Sequence, residues 1–368
     1  MNCQPKIAIV TLNKNVYSET FIKAQIDFLP ATLVLYGDWF PTHYGQDRIV
    51  QSRKKKIISR ALNFLFGIQL FSKEQELIRV LKKYHIQVVI AQYGIAGVYL
   101  NKLCKENKIP LIVHFHGFDA SKHDILSLYK EGYLKMFNDA ENIISVSKSM
   151  HQKLISLGCS ESKLKLIHYG PNDKFFLNKP KYDTQTFFSI GRFVDKKAPY
   201  LTILAFYLVQ QEFSNAKLIM AGNGDLLGLC KNLVRSLKIE NNIEFLGVIT
   251  PDQTRIYMEK SIAYVQHSII AESGDSEGTP LAILEAQAAA LPVISTNHAG
   301  IPDIVINNVT GFLVEETDIQ GMMDAMKKIL SNNELARELG EKGRLRIIDN
   351  FTMSHYINKL NHVIQGLI

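Results

Sequence analysis

The chain has 368 residues, of which 46% are hydrophobic and 21% are charged, and its formal net charge is +7. This length predicts two domains, while the ordinary composition and the lack of an apolar run of about 20 residues exclude a disordered chain and a membrane-spanning helix. The charge is uneven, since residues 1–180 carry +11 and residues 181–368 carry −4. Because no nucleic-acid motif accompanies the basic half, we expect no nucleic-acid partner.

The first element in the chain is a short apolar run, Lys6–Leu12, which is typical of a strand covered on both faces. It leads directly into polar residues, so it does not read as a signal peptide. The cysteines are scattered without paired spacing, which favours a reduced, cytoplasmic compartment. They are Cys3, Cys104, Cys159 and Cys230.

A helix is predicted after this strand, because apolar residues recur at helical spacing from Phe21 to Leu29. Ser18 is the expected N-cap, with Glu19 and Thr20 in the first turn. This is a structural interpretation, and it gives Ser18 no chemical role by itself.

Residues 48–66 form the clearest charge feature of the chain. Basic side chains between Arg53 and Arg60 alternate with apolar ones that continue to Phe66. A basic amphipathic helix over Arg53–Phe66 could lie on an anionic membrane surface, or it could pack its apolar side on its own domain. Both interpretations stay open.

Three segments then repeat one pattern, in which a short β-rich run is followed by small or polar residues and a helical stretch. They are Gln87–Leu100, Pro110–Ser121 and Asn142–Met150. Alternation at this spacing predicts parallel βαβ units, in which ligands bind beyond the carboxyl ends of the strands. His116 and Gly117 fall at such an end with Asp119 nearby, whereas His114 still lies in the strand, so His116 is the candidate. A polar stretch, Phe175–Gln185, reads as an interdomain linker.

The second half opens with a strand that breaks at Gly191 and delivers cationic side chains into a loop. Arg192 offers a planar fork for phosphate oxygens, and Lys197 offers a mobile point charge beside Lys196. The alternative is a solvated basic loop.

A glycine-rich turn, Gly222-Asn223-Gly224, follows the next strand and tests a dehydrogenase interpretation. A dinucleotide fingerprint needs a third glycine three positions after the second, but that position is Leu227 and the glycine is Gly228. This spacing counts against a nicotinamide site.

The segment 271–302 carries two glutamates eight positions apart, Glu277 and Glu285. Pro280 suits the first turn of the helix that carries Glu285, and the N–H groups of Gly278 and Thr279 would then face an anion at the positive helix end. Phosphate-facing N–H groups beside hydroxyl-facing carboxylates suit a sugar nucleotide. The alternative is a buried helix that joins two strands, with the glutamates at its ends.

The whole block resembles the retaining glycosyltransferases of family 4, which have the GT-B fold. The resemblance rests on Glu-Gly-Thr-Pro-Leu, Leu-Glu-Ala, Leu-Pro-Val-Ile-Ser-Thr and Ala-Gly-Ile-Pro-Asp, together with His-Gly-Phe-Asp and the Gly-Arg step followed by Lys197. It implies an α/β protein of two Rossmann-like domains whose parallel sheets face each other across a cleft. The expected domains are an acceptor-side unit, 1–178, joined by a returning C-terminal helix, 352–368, and a nucleotide-sugar unit, 179–351.

The resemblance also implies roles for individual residues. Glu277 would hold the donor sugar, Glu285 the ribose, and His116 would face the sugar from across the cleft. Arg192 and Lys197 match the diphosphate clamp, with Ala198 where glycine is commoner. The residues implied to line the nucleotide pocket or the cleft are Gly222, Asn223, Gly224, Val248, Gly278, Thr279, Pro280 and Ser18.

No Asp-x-Asp occurs in the sequence, so we expect transfer without a metal ion or other cofactor. The implied donor is a UDP- or GDP-sugar, and the implied acceptor is a lipid-linked or polysaccharide hydroxyl in cell-envelope biosynthesis, at the inner face of the plasma membrane. Three alternatives remain: a sugar-nucleotide epimerase of the same fold, a nicotinamide-dependent dehydrogenase and a non-catalytic binding protein.

Overall fold

The computed structural model describes residues 5–13, 19–49 and 72–368, which form two α/β units. The strands are β1 (Ile7–Val10), β2 (Ala31–Tyr36), β3 (His43–Tyr44), β4 (Asp47–Arg48), β5 (Val88–Gln92), β6 (Leu111–His114), β7 (Asn142–Ser145), β8 (Leu164–Leu166), β9 (Thr186–Ile190), β10 (Lys217–Ala221), β11 (Ile243–Gly247), β12 (Ala263–Gln266), β13 (Val293–Thr296) and β14 (Gly311–Val314). The helices are α1 (Thr20–Phe28), α2 (Lys73–Lys83), α3 (Gly94–Glu106), α4 (Phe118–Ser121), α5 (His123–Asp139), α6 (Lys148–Ser156), α7 (Pro199–Gln210), α8 (Leu227–Ser236), α9 (Pro251–Glu259), α10 (Leu281–Ala288), α11 (Ile301–Ile304), α12 (Ile319–Ser331), α13 (Asn333–Asn350) and α14 (Met353–Gln365). Short 3-10 helices cover Glu161–Lys163, Asp173–Leu177 and Asp195–Lys197.

The first sheet has eight strands in the order β4-β3-β2-β1-β5-β6-β7-β8. Strand β1 pairs in parallel with β2 and β5, and its four residues are all buried, as expected for an apolar run covered on both faces. The remaining strands on that side are also parallel. The parallel sheet predicted from the sequence is confirmed, and an antiparallel hairpin of β3 and β4 extends one edge.

The second sheet has six strands in the order β11-β10-β9-β12-β13-β14, and every pair is parallel. Strand β9 lies between β10 and β12, so the loop after β9 emerges near the middle of the carboxyl edge. Helix α10 connects β12 to β13. Because parallel strands all end at the same edge, the loops that carry Arg192, Gly222 and Glu277 meet there.

The last helix, α14, returns to the first sheet. Its N-terminus is fixed by a capping box between Thr352 and His355, and its buried face includes Tyr356. The Tyr356 hydroxyl accepts a 2.7 Å hydrogen bond from the side-chain amide of Gln25 on α1. The predicted GT-B arrangement, with a C-terminal helix that crosses back, is therefore confirmed.

Some expectations need correction or cannot be compared. The stretch expected to be a polar linker is partly buried, because Asn178 and Tyr182 pack against the second unit and donate hydrogen bonds to the carbonyls of Arg255 and Ala290. The whole basic segment Arg53–Phe66 lies outside the described residues, because these begin again at residue 72. Within the described ranges, no helix has both the length and the apolar character needed to cross a membrane.

Candidate active site

A cavity of about 820 Å³ lies between the carboxyl edges of the two sheets. Both units contribute to its wall. The first supplies Asn13, Glu19, Thr20, Phe21, Ile22, Lys23, Ile26, Tyr93, His116, Phe118 and Tyr169, and the second supplies Ile190, Gly191, Arg192, Lys196, Lys197, Gly222, Val248, Ile249, Thr250, Pro251, Thr254, Glu277, Gly278, Thr279, Pro280, Leu281, Ala282 and Glu285. The candidates drawn from three separate stretches of sequence therefore share one cleft.

A buried ion pair joins the two most distinctive candidates. Lys197 Nζ lies 3.2 Å from Glu277 Oε1, and the two side chains are 15% and 8% exposed. Burial alone would raise the pKa of Glu277, but the charges of Lys197 and Lys196 bring it down to about 2. Burial lowers the pKa of Lys197 while Glu277 opposes that shift. The pair thus places a fixed carboxylate and a cation side by side on the cavity wall.

The neighbouring cations differ from each other in their contacts. Lys196 is buried, and its ammonium donates to Asp275 Oδ1 at 2.9 Å and to the Ser276 carbonyl at 3.1 Å. Arg192 is exposed on the cavity wall and forms no ion pair with the described residues. Lys196 therefore fixes the loop before Glu277, whereas Arg192 is available to an anionic ligand.

The turn at the start of α10 corrects one expectation. The helix begins at Leu281, so Pro280 is its N-cap and does not lie in the first turn. The Thr279 hydroxyl donates to the carbonyl of Val146 in the first unit. Among the described residues, no hydrogen bond uses the backbone N–H of Gly278 or Thr279. Both groups remain available at the positive end of the helix.

Glu285 faces the same cavity from α10, without a hydrogen bond or ion pair to any described residue. Burial raises the pKa of its carboxyl group to about 8. The two glutamates of the block are thus held in opposite states, because Glu277 is paired with a cation and Glu285 has no counter-charge.

His116 lies on the cavity wall just beyond the end of β6, but both of its ring nitrogens already have partners. Nδ1 is 2.6 Å from the Tyr169 hydroxyl, and Nε2 is 2.8 Å from Gln92 Oε1. The ring is buried, and burial lowers its pKa well below the ordinary value. The Gln92 carbonyl oxygen requires a proton on Nε2, so Nδ1 accepts from Tyr169. His116 is therefore a neutral, internally bonded part of the wall.

The glycine turn after β10 divides into two parts. Gly222 lines the cavity at a φ of +126°, and any side chain there would collide with the Gly191 carbonyl. Asn223 and Gly224 do not line the cavity, and the Asn223 carbonyl accepts from the N–H of Phe193 at 2.9 Å. Of the three residues, Gly222 is the one that lines this cavity.

Two further candidates have different outcomes. Val248 lines the cavity and is 51% exposed, as a side chain at an open pocket edge would be. Ser18 lies outside the described residues, and α1 has Glu19 as its N-cap without a side-chain capping bond.

The sequence analysis missed a pair on the side of the first unit. The Tyr93 hydroxyl donates to Glu19 Oε1 at 2.8 Å, and the φ of Tyr93 is +73°, an unfavourable angle for a bulky residue. Phe118 packs against the Tyr93 ring at 5.2 Å between centroids. Burial raises the pKa of Glu19 despite the Tyr93 bond and the charge of Arg192. This wall therefore combines aromatic rings with a carboxylate.

The sequence analysis also missed His298 and Glu316, which accept hydrogen bonds from backbone N–H groups of the loop before α10. His298 Nε2 is 3.1 Å from the backbone nitrogen of Glu277, and its Nδ1 is 2.6 Å from Glu316 Oε1. No local sequence signal joins these residues, because they lie in loops after different strands.

Two family models match the chain. The model described as "Glycosyltransferase Family 4" matches residues 34–174, and the model described as "Glycosyl transferases group 1" matches residues 172–346. The chain is 29% identical over 247 residues to the amylovoran biosynthesis glycosyltransferase AmsK of Erwinia amylovora, which covers 66% of this chain. It is 26% identical over 298 residues, or 78% of this chain, to WcaL of Escherichia coli, whose name assigns it to colanic acid biosynthesis. The chain spans 60% of the length of AmsK and 73% of the length of WcaL.

Solved structures resemble the chain over nearly its whole length. Anabaena HepE in complex with UDP gives a TM-score of 0.75 at 14% identity, covering 99% of this chain and 100% of that chain. Sucrose-phosphate synthase from Thermosynechococcus elongatus gives 0.74 at 18% identity, covering 99% of each chain. These likenesses show the fold, which is GT-B.

Proposed function

Because the chain belongs to the family 4 glycosyltransferases and carries a group 1 glycosyltransferase domain, we propose that it transfers a sugar from a UDP-sugar or GDP-sugar to an acceptor hydroxyl. Transfer would retain the anomeric configuration and need no metal ion. The observation that carries the proposal is the Lys197–Glu277 ion pair, which lies beside Arg192 and the open N–H groups of the α10 start on one cavity wall.

The donor diphosphate would dock against the positive side of this wall. Arg192 supplies two or more N–H donors, Lys197 supplies a buried ammonium, and Gly278 supplies a backbone N–H at a helix start. Such groups are fixed before the ligand arrives, so they can stabilise the charge that develops on the leaving diphosphate. This neutralisation, together with the lack of an Asp-x-Asp sequence, supports transfer without a divalent ion.

The carboxylates would recognise hydroxyl groups of the donor. Glu277 is ionised and ordered by Lys197, so it can accept hydrogen bonds from sugar hydroxyls next to the diphosphate. The Glu285 carboxyl group, which burial keeps mainly protonated at pH 7, has no partner among the described residues and would hydrogen-bond to the ribose hydroxyls. Val248 and Gly222 would border the base and the ribose. UDP is bound in the HepE structure, which makes UDP-sugars the first donors to test.

The acceptor would enter from the first unit. Aromatic rings of Phe21, Tyr93 and Phe118 line that wall, and such rings pack against the apolar faces of sugars. One oxygen of Glu19 is bonded to Tyr93, and the other has no partner among the described residues, so it can accept from the incoming hydroxyl. The acceptor oxygen would bond to the anomeric carbon as its proton passes to Glu19. The bond between the anomeric carbon and the diphosphate oxygen would break, and the diphosphate would leave with its electron pair.

A lipid-linked or polysaccharide acceptor in cell-envelope biosynthesis fits the names of AmsK and WcaL and the basic first half of the chain. Contact with an anionic membrane surface through Arg53–Phe66 belongs to this proposal. The three described cysteines are buried and unpaired, which suits a reducing, cytoplasmic site of action.

Isothermal titration calorimetry with UDP and GDP tests the donor site, in buffer containing either EDTA or magnesium chloride. We expect one nucleotide to bind equally well in both buffers and to bind at least about tenfold more weakly to the Arg192→Ala variant. Failure of both nucleotides to bind, or a strict need for magnesium, would refute the donor site as described.

A panel of nucleotide sugars then separates transfer from epimerisation. Transfer predicts nucleotide release that accelerates when an acceptor is added. Conversion of the donor alone into its epimer, without nucleotide release, would instead identify a sugar-nucleotide epimerase.

A further inference from the structure

The loop that joins β12 to α10 carries Glu277, and both of its ends contact the same carboxylate–imidazole pair. At the start of the loop, the N–H of Ile270 donates to Glu316 Oε2 at 2.8 Å. At its end, the N–H of Glu277 donates to His298 Nε2 at 3.1 Å. His298 Nδ1 and Glu316 Oε1 are 2.6 Å apart and close the connection. The order is thus Ile270, Glu316, His298, Glu277.

The direction of these bonds fixes the protonation of His298. A backbone N–H can only donate, so Nε2 must present its lone pair to Glu277. The proton must then lie on Nδ1, where the Glu316 carboxylate accepts it. The carboxylate therefore selects the one neutral tautomer of His298 that can hold the Glu277 backbone, and a ring protonated on both nitrogens would face that N–H with a second donor.

The surroundings keep this pair in place. His298 is 1% exposed, and the backbone beyond Glu316 is tied down where the N–H of Thr317 donates to His267 Nε2 at 2.9 Å. The charged groups near the ring are Glu316 on one side and the Glu277–Lys197 pair on the other. His298 does not line the cavity that the described residues form, so it acts on the loop and not on a ligand there.

We propose that His298 and Glu316 are positioning residues, which hold the Glu277 main chain so that its carboxylate meets Lys197 and the donor sugar. The role of Glu277 toward the sugar rests on the proposed function, whereas the clamp itself is a property of the loop. The geometry predicts that the affinity for the nucleotide sugar depends on His298 Nε2, because that ring atom accepts the hydrogen bond from the Glu277 backbone.

Substitutions that keep one end of the imidazole separate the two bonds. In His298→Gln the side-chain oxygen can take the place of Nε2 and still accept from Glu277, whereas His298→Asn keeps a polar group near the Nδ1 position and loses that acceptor. Glu316→Gln presents an amide to two donors, so one of its two bonds must fail. His151→Asn is the matched control, since His151 bonds Ser145 Oγ and forms no hydrogen bond to residues 270–280 in the part of the chain that the structure describes.

Amide hydrogen exchange on peptides that cover residues 270–280 tests the clamp without any ligand. We expect exchange to accelerate about tenfold in His298→Asn and Glu316→Gln, and to stay within about twofold of wild type in His298→Gln and His151→Asn. Unchanged exchange in His298→Asn, or equal acceleration in His298→Gln, would overturn the clamp.

Titrations with UDP and UDP-glucose, or with GDP and GDP-mannose if the wild type prefers guanosine, test the link to function. In His298→Asn, the dissociation constant of the nucleotide sugar should rise about 5- to 10-fold, and that of the nucleotide alone should rise less than about twofold. In His298→Gln, both dissociation constants should be close to those of the wild type. Equal losses for both ligands would overturn the positioning role. If the wild type binds no nucleotide, the proposed function fails, and the exchange data still decide the clamp.

Discussion

The Lys197–Glu277 ion pair should contribute measurably to stability, because both side chains are largely removed from water. Lys197→Met leaves a buried carboxylate without its main counter-charge, and Glu277→Gln leaves a buried ammonium. Breaking a buried pair by removing one partner costs about 3–5 kcal/mol. The double variant removes both charges, so it should cost clearly less than the sum of the two single changes.

The pH dependence of the coupling between Lys197 and Glu277 follows from the pKa of the Glu277 carboxyl group. Its pKa of about 2, against the usual 4.5, corresponds to about 3 kcal/mol in favour of the ionised form at neutral pH. Since the folded value lies below the unfolded one, this contribution is present above about pH 4.5 and is lost as the pH falls toward 2. Lys196 adds to this shift and burial opposes it, so the net shift is not the energy of the Lys197–Glu277 pair alone. For two side chains in direct contact we expect a coupling of about 1–3 kcal/mol at pH 7. It should be smaller at pH 3, where part of the carboxylate is protonated.

A double-mutant cycle by guanidinium denaturation at both pH values measures this coupling. The control is the surface pair of Lys327 and Glu212, with side chains 26% and 58% exposed, for which the coupling should stay below about 1 kcal/mol. Additive effects at Lys197 and Glu277, or a coupling that does not change with pH, would refute the view that this pair is electrostatically coupled in the folded protein.

Four other variants test single features of the cleft. Glu285→Gln should stabilise the free protein by about 2–4 kcal/mol more at pH 8 than at pH 5, because the raised pKa penalises folding as the carboxyl ionises, and it should weaken UDP binding in calorimetry. Arg192→Ala should weaken UDP binding about 10- to 100-fold with unfolding free energy within about 0.5 kcal/mol of wild type, while the exposed Arg235→Ala changes neither. Tyr93→Phe should slow transfer about tenfold in a nucleotide-release assay yet leave UDP affinity unchanged, since its hydroxyl orders Glu19 on the acceptor side. Ala198→Gly should raise the free energy of unfolding by about 0.5–1 kcal/mol, because φ at this position is +36° and glycine adopts that angle without strain. A higher midpoint in thermal unfolding would show this gain.

Short apolar runs flanked by turn residues were enough to predict the parallel sheets, because a strand covered on both faces needs apolar side chains at consecutive positions. Two of the missed strands, β2 (Ala31–Tyr36) and β14 (Gly311–Val314), explain the limit of this signal. β14 begins with a glycine and leads into Glu315 and Glu316, so its apolar part is only Phe312–Val314, too short for its pattern to distinguish a strand from a loop. β2 follows α1 after two residues, so the pattern of the helix runs almost directly into that of the strand.

The candidate site, like the fold, was predicted only in part from the sequence. Glu277, Glu285, Arg192 and Lys197 could be assigned to one cleft because their motifs resemble those of one family, and all four line the cavity. The partners of each side chain could not be predicted. The pairing of His298 with Glu316 depends on tertiary contacts between separate loops, which leave no local pattern in the sequence.

The position of α14 has a consequence for synthesis. Gln25 is fully buried, and its side-chain amide donates a hydrogen bond to the Tyr356 hydroxyl. Tyr356 is translated more than three hundred residues after Gln25. A nascent polypeptide that has cleared the ribosome through residue 350 contains all fourteen described strands, yet Gln25 still lacks this cover. The half of the molecule that is translated first therefore completes its packing only after α14 has emerged.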